Sequence, residues 1–274
     1  MKEPPPDSSE APVIEMKNVS FAALRDQSMI VGREINWTVQ RGDYWVLAGL
    51  EDSGKTDFLM LAGGLMPPAA GTYRFFGEDM PIYEDARIRE RLRLGVVFDG
   101  GQLFNHFTVA DNVALPLRYH QNLSKADAQP ELASILDALE LTPWAHSTPG
   151  AIGRNWQKRV GLARALMLRP EVLLVDNPLG GLDLRHASWW LAFLGRLSQG
   201  HPLFEGKPLT IVTTAAEFSS WRWHAKQFAV LRDHHLVVLG TWRQVEEASD
   251  ELLHELMAAK EHRELKETLK RERE

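Results

Sequence analysis

The segment Gly49-Leu50-Glu51-Asp52-Ser53-Gly54-Lys55-Thr56 constrains this chain more than any other stretch of its sequence. It satisfies the pattern G-x-x-x-x-G-K-[ST], in which a glycine-rich turn offers backbone amides to phosphate oxygens. On that pattern Lys55 reaches the outer phosphates, Thr56 holds a magnesium ion, and the run from Gly49 through Asp57 forms the cradle. Such a loop has meaning only between a strand and a helix. Both are expected: Tyr44-Trp45-Val46-Leu47-Ala48 reads as a buried strand, and Asp57 to Leu65 reads as the helix behind it. The site implied is one for a nucleoside triphosphate.

Phosphate chemistry of this kind needs a second strand that carries a carboxylate to the metal. Glu171-Val172-Leu173-Leu174-Val175-Asp176 supplies it, four apolar residues ending in an aspartate. That is the pattern of a buried parallel strand whose tip faces a ligand. Asp176 is thus the second expected magnesium contact, direct or through water.

From these residues outward the chain resembles a known family. Gln157-Lys158-Arg159-Val160-Gly161-Leu162-Ala163-Arg164-Ala165-Leu166 leads through Arg169-Pro170-Glu171-Val172 into Asp176-Asn177-Pro178-Leu179-Gly180-Gly181-Leu182-Asp183. This is similar to the nucleotide-binding subunit of an ABC transporter, from its signature helix through the Walker B strand to the D-loop. The block Val96-Val97-Phe98-Asp99-Gly100-Gly101-Gln102-Leu103-Phe104, followed by Thr108 to Leu117, resembles the Q-loop region of the same family. Its flavour suggests the ATPases of MCE-associated lipid transporters. The resemblance covers about residues 13 to 245. It implies an α/β fold: a P-loop NTPase core of the ABC type with a mixed sheet, an antiparallel β subdomain and a helical subdomain over about residues 106–166. It further implies ATP and Mg²⁺ as ligands, a polytopic membrane permease as partner, and a second nucleotide-binding subunit, identical or different. The place expected is cytoplasmic, at the inner face of a membrane and attached through that partner.

Against this pattern the departures are as informative as the matches. The family's glutamate after the Walker B aspartate orients and deprotonates the attacking water; here Asn177 stands in its place. Asparagine can hold a water but cannot take its proton, which removes general-base help worth roughly 10²–10⁴-fold. The Q-loop glutamine corresponds to Asp99, which can still touch a metal but adds charge beside the phosphates. The switch histidine, expected after the strand Leu209-Thr210-Ile211-Val212-Thr213, corresponds to Thr214. Where the family carries L-S-G-G-x-Q, this chain has Ile152-Gly153-Arg154-Asn155-Trp156-Gln157. Arg154 at a helix start can bind phosphate itself, or its bulk can keep two subunits apart, since the missing glycines permit close approach. The aromatic residue that stacks on adenine in many members is absent, Ala23 standing two places after Phe21. No residue is assigned a catalytic role. The reading is a subunit that holds Mg-ATP with weak or absent hydrolysis. An ATPase working through Asp99 or Arg154, and a structural or regulatory protein on the same fold, are the alternatives.

Composition narrows the class further. With 44 % hydrophobic and 25 % charged residues the chain is ordinary for a folded domain. A formal net charge of −6 argues against nonspecific binding to nucleic acid or anionic lipid. No apolar run approaches the length of a membrane span, and none reads as a secretion signal. Zero cysteines exclude disulfides and thiolate chemistry.

Along the chain, residues 1–12 with Pro4-Pro5-Pro6 read as a disordered tail, and 246–274 as a charged helix that is solvated or binds a partner. Leu253, Leu256 and Met257 line one face of that helix, and Glu267/Arg271 and Lys270/Glu274 form i,i+4 pairs. Val13-Ile14-Glu15-Met16-Lys17-Asn18-Val19 and Glu34-Ile35-Asn36-Trp37-Thr38-Val39 are expected as edge strands. Tyr73-Arg74-Phe75-Phe76 forms a further strand, and Gln227 to Leu231 and Leu236 to Leu239 the last two, around a turn at Asp233-His234-His235. Trp189, Trp190, Trp221 and Trp223 are expected as packing residues, whereas Trp156 lies within the altered signature. Leu103, Phe104 and Phe107 are either core or the family's groove for a membrane subunit's coupling helix.

Overall fold

A computed structural model describes residues 11–80, 88–248 and 250–257. It divides into two compact units, one formed by the chain up to Pro81 and from Val212 onward, the other by Ile82–Ile211.

The first unit holds an antiparallel sheet in the order β2-β1-β4-β5, built from β1 (Ile14–Ala22), β2 (Ile30–Val39), β4 (Ala70–Phe75) and β5 (Glu78–Asp79). β1 is therefore interior, paired with β2 on one side and β4 on the other, and the expectation of an edge strand fails there. Its hydrophobic alternation is interrupted: Ile14 and Met16 are buried, then Val19 and Phe21. The register shifts between Met16 and Val19, and Asn18 takes a positive φ of 50°. An extra residue at a bulge moves the inward phase by one position, which keeps both halves of the strand apolar on the same face. Gly32 on β2 is obligatory, because a Cβ there would collide with the Phe21 ring.

Strand β3 (Tyr44–Ala48) is buried at every residue and pairs in parallel with β9 (Gln227–Arg232), from Trp45↔Gln227 to Ala48↔Val230. β9 turns back into the antiparallel β10 (His235–Gly240), which makes this sheet mixed. The hairpin turn is Asp233-His234, both at positive φ (49° and 65°), as a two-residue turn between twisted strands requires. His235 already belongs to β10 rather than to the turn. Helix α1 (Lys55–Ala62) follows β3 and buries Phe58, Leu59, Leu61 and Ala62. It begins two residues before the expected start and ends three before the expected end. Trp37 joins the two sheets of this unit to the helix, its ring centroid 5.7 Å from that of Trp45 and 5.2 Å from that of Phe58. The Tyr73 hydroxyl donates to the Ala62 carbonyl at the end of α1.

The second unit contains the parallel pair β6 (Leu94–Val97) and β7 (Val172–Val175), with a short helix α2 (Ile88–Arg91) before β6. Helices α3 (Val109–Gln121), α4 (Gln129–Ala138) and α5 (Arg154–Leu166) occupy the region expected to be helical, and α6 (Leu184–Gln199) follows β7. Thr108 caps α3, its hydroxyl oxygen accepting from the Asp111 amide at 3.0 Å. One turn on, the fully buried Asn112 accepts from the Phe104 amide (2.9 Å) and donates to the Phe104 and Thr108 carbonyls (3.1 and 3.0 Å). That amide fixes the loop between β6 and α3. α5 lies against this loop at Gly101 and Gly161, where either residue's Cβ would strike the other segment's backbone.

Strand β8 (Thr210–Ala215) carries the chain back to the first unit. It extends two residues beyond the expected end. The chain then closes with α7 (Trp242–Glu247) and α8 (Glu251–Met257), separated by extended backbone at Ala248. Leu253 and Leu256 are buried as expected of one face, and the Leu256 carbonyl accepts from the Phe218 amide at 2.7 Å. Residues 1–10 of the expected tail, and the Glu267/Arg271 and Lys270/Glu274 pairs, lie outside the described residues. Trp190 and Trp221 are buried, but Trp223 is 82 % exposed and does not pack, with the Arg222 guanidinium 4.6 Å from its ring. It stands just past the short turn that buries Trp221, so the chain has already turned toward solvent.

Candidate functional site

In the first unit, β3 ends at Ala48 and the loop Gly49–Gly54 turns into α1. Gly54 sits at φ 87°, a left-handed conformation that lacks a steric penalty only for glycine, and its missing side chain leaves room for Val31. A Cβ on Gly49 would lie 2.6 Å from the Leu231 carbonyl oxygen of β9. Both motif glycines are thus demanded by the fold around the loop. Lys55 curls over the loop, its Nζ donating to the carbonyls of Gly49 (2.8 Å) and Leu50 (2.6 Å) and to Ser53 Oγ (3.3 Å). Those neutral acceptors are ones that a phosphate oxygen outcompetes for an ammonium. Thr56 is exposed in the first turn of α1, where helix amides and the helix dipole favour an anion. Asp57 is placed differently from its neighbours. Its Oδ1 accepts the Leu24 amide at 2.8 Å, so the carboxylate ties α1 to the loop after β1.

Within the second unit, β7 delivers Asp176, which is 6 % exposed and whose amide donates to the Val97 carbonyl of β6 at 2.8 Å. The Thr56 hydroxyl and the Asp176 carboxylate are hard oxygen donors, the kind magnesium takes. Among the described residues no cluster of three or more His, Cys, Asp or Glu can hold a metal unaided. In the first unit the loop suits the phosphates of a nucleotide, and in the second Asp176 offers a hard oxygen donor of its own.

Of the changed positions, Asn177, Asp99 and Arg154 form a connected group in the second unit. Asn177 adopts φ 44°, its carboxamide packs against Gly180, and a Cβ on Gly180 would collide with it. Lys158 of α5 is 1 % exposed and was not singled out by sequence reasoning. Its ammonium donates to the carbonyls of Asn177 and Gly180, both at 2.8 Å, and lies 2.9 Å from Asp99 Oδ1. Burial lowers the Lys158 pKa, and the Asp99 carboxylate opposes that fall. Arg154 approaches both Asp99 oxygens at 3.4 Å. Asp99 is therefore the counter-ion of two cations. Gly153 caps α5 in extended conformation, and a side chain there would meet no atom. Nothing in the fold thus requires glycine at that position. Gln157 donates to the carbonyls of Pro149 (2.9 Å) and Ile152 (3.1 Å), closing the turn before α5.

A second buried cation, Arg159, follows Lys158 on α5. It is 3 % exposed, pairs with Glu140 at 2.8 Å, and places its guanidinium 3.6 Å from the Trp189 ring and 4.6 Å from that of Trp156. Trp156 is thereby held against α6, with the His186 ring 5.6 Å away. A signal for both cations existed: Lys158 and Arg159 fall in a helix whose neighbours Val160, Gly161 and Leu162 are all small or apolar. In the first unit, Thr214 lies inside β8 and is 1 % exposed. Phe104 and Phe107 are exposed (54 % and 38 %), with ring centroids 5.4 Å apart, and so do not form core.

Comparison with known proteins gives a consistent answer. A family described as "ABC transporter" matches residues 33–180. The chain is 31 % identical over 239 residues to the methionine import ATP-binding protein MetN of Lacticaseibacillus paracasei, covering 86 % of this chain and 66 % of that protein. It is 27 % identical to the intermembrane phospholipid transport system ATP-binding protein MlaF of Haemophilus influenzae, covering 87 % of each. The Escherichia coli MlaF is 33 % identical over 178 residues, 65 % of each chain. The first relatives are longer, this chain spanning 66 %, 43 % and 33 % of their lengths. Among solved structures, cbiO1 from Clostridium perfringens, part of the ABC transporter complex cbiONQ, superposes with a TM-score of 0.73 at 18 % identity, covering 87 % of this chain and 92 % of that one. A dimeric cassette in a post-hydrolysis state with ADP and Pi gives 0.71 at 24 %, covering 81 % and 96 %. Both likenesses show the α/β fold.

Proposed function

Since the chain belongs to the ABC transporter family of ATP-binding domains, we propose that it is the nucleotide-holding subunit of a membrane transport complex, with weak or absent hydrolysis. The observation that carries this reading is the contrast between an intact phosphate loop and Asn177. The loop keeps Gly49, Gly54, Lys55 and Thr56 in a fold that demands them. Asn177 offers no proton acceptor where the family has a glutamate, and its carbonyl is bound by the buried Lys158 ammonium. The backbone amides from Gly49 through Asp57 bind the phosphates, with Lys55 on the outer ones, and Thr56 and Asp176 would hold the Mg²⁺. When bound, that ion neutralises phosphate charge. The protein's own part is to orient the nucleotide with loop amides and to hold a water at Asn177 without deprotonating it.

Among the described residues no helix is long and apolar enough to cross a membrane. Membrane work then falls to a polytopic permease, and the exposed Phe104–Phe107 pair offers it an apolar surface. A second nucleotide-binding subunit completes the assembly, as the dimeric cassette illustrates. The location proposed is the inner face of a membrane. The two relatives named for phospholipid transport support a lipid-type cargo.

The test is binding of labelled Mg-ATP to the purified chain and to Lys55→Ala, followed by identification of the bound nucleotide. Intact ATP retained only by the unmutated protein is expected, with affinity reduced at least about tenfold by the substitution. Recovery of ADP and phosphate at a rate that Lys55→Ala abolishes would instead establish a working ATPase.

A further inference from the structure

The phosphate loop of this chain is acidic. Glu51 and Asp52 occupy its exposed crown, and Asp57 follows Thr56 in the first turn of α1. Asp57 is engaged by the Leu24 amide. Among the described residues, Glu51 and Asp52 have no hydrogen-bond or ion-pair partner. The one cation of the loop, Lys55, directs its ammonium to the carbonyls of Gly49 and Leu50 and to Ser53 Oγ instead of to either carboxylate. Asp52 also sits at φ 58°, in the left-handed region that favours glycine. A carboxylate is therefore kept at a strained position, in a loop whose glycines, lysine and helix start all favour an anion. Simple anion binding is served by neither feature.

Building on the nucleotide-binding reading, we propose that Glu51 and Asp52 are specificity-determining residues that reject the metal-free triphosphate and confine the loop to its magnesium complex. The repulsion between a fixed carboxylate and a bound ligand scales with the ligand's charge. A magnesium ion cancels two of the negative charges of a nucleoside triphosphate and so roughly halves that repulsion, while Lys55 and the loop amides still engage the phosphates. Two uncompensated carboxylates thus weaken the free anion much more than the complex. The cost in absolute affinity becomes a gain in selectivity.

The experiment measures the Kd of ATP for the full chain and for Glu51→Gln/Asp52→Asn, once with excess Mg²⁺ and once with EDTA. The amides keep size and hydrogen-bonding shape, and both positions are exposed, so the fold tolerates them. The double variant is expected to bind Mg-ATP about fivefold more tightly and metal-free ATP about twenty-five-fold more tightly, a preference for the complex that shrinks about fivefold. Both gains should shrink in high salt, because the charges are solvent-exposed and screened beyond about 10 Å at 0.1 M. Equal tightening with and without Mg²⁺, insensitive to salt, would mean that the substitution only relieved backbone strain at Asp52, and would overturn the proposal. Unchanged affinities would also overturn it. Failure of both proteins to bind under any condition is a separate result, which would sink the nucleotide reading on which the proposal rests.

Discussion

On the proposed reading, asparagine at position 177 holds a water without deprotonating it. Its carboxamide packs against Gly180, its backbone is held at φ 44°, and its carbonyl accepts the Lys158 ammonium. A glutamate introduced there regains a proton acceptor but inherits the same restraints. It also leaves Thr214, Asp99 and the Gly153-Arg154-Asn155 run unchanged. Asn177→Glu is therefore expected to raise phosphate release by no more than about tenfold, out of the roughly 10²–10⁴-fold that a positioned base supplies. A steady-state phosphate assay decides it; turnover restored in full by this one change would show the other departures to be harmless. Asp99 illustrates the same scale from the opposite side. Its residue type left open a role as metal contact, and its setting, 2.9 Å from Lys158 and 3.4 Å from Arg154, engages both oxygens with protein cations.

Elements in the second unit are held by buried charge as well as by apolar packing. The Lys158 ammonium joins α5 to the loop after β6 through Asp99, and to the loop after β7 through the Asn177 and Gly180 carbonyls. Lys158→Met fills a similar volume but removes the donor to those carbonyls and leaves Asp99 without its nearer cation. Asp99 is 34 % exposed and keeps Arg154, so the loss is mainly that of hydrogen bonds from a charged donor, about 1.5–3 kcal/mol, expected in urea unfolding of the full chain. A loss below about 1 kcal/mol would show that the pair is solvated and replaceable. Sequence periodicity could not reveal this. It places Lys158 on a helix, yet the carbonyls it binds lie 19 and 22 residues further on. The bulge at Lys17-Asn18 is a similar case. Alternation located β1, whereas its interior place in the sheet depends on β4, more than fifty residues away.

Across the whole molecule, acid stability is set by carboxylates that gain partners on folding. Hydrogen bonds from Lys125 and Thr108 lower the Asp111 pKa, a hydrogen bond from Arg159 lowers that of Glu140, and one from Arg232 lowers that of Asp250. A carboxyl with a depressed folded pKa binds fewer protons in the native state, so stability rises with pH. That contribution is complete above the unfolded carboxylate values near about 4 and is lost as pH falls through the lower folded ones. Burial lowers the His201 and His224 pKa values as well, so urea midpoints should fall gently from about pH 7 to 5 and more steeply between about pH 4 and 2. A profile flat to the acid limit would show that these pairs form equally in the unfolded chain. By itself, the sequence determined the fold class, the phosphate-loop motif and the strand that leads to Asp176, and it is the source of the proposal that Asn177 lacks a base's proton acceptor. These are local: the chemistry of a short motif, and apolar runs read at strand or helix period. The tertiary structure decided which ions neutralise Asp99, why Gly49 and Gly54 cannot be replaced, which tryptophans are buried, and that Glu51 and Asp52 have no partner among the described residues. Each of those depends on atoms that meet only when distant segments pack, and no spacing within the chain encodes which will meet.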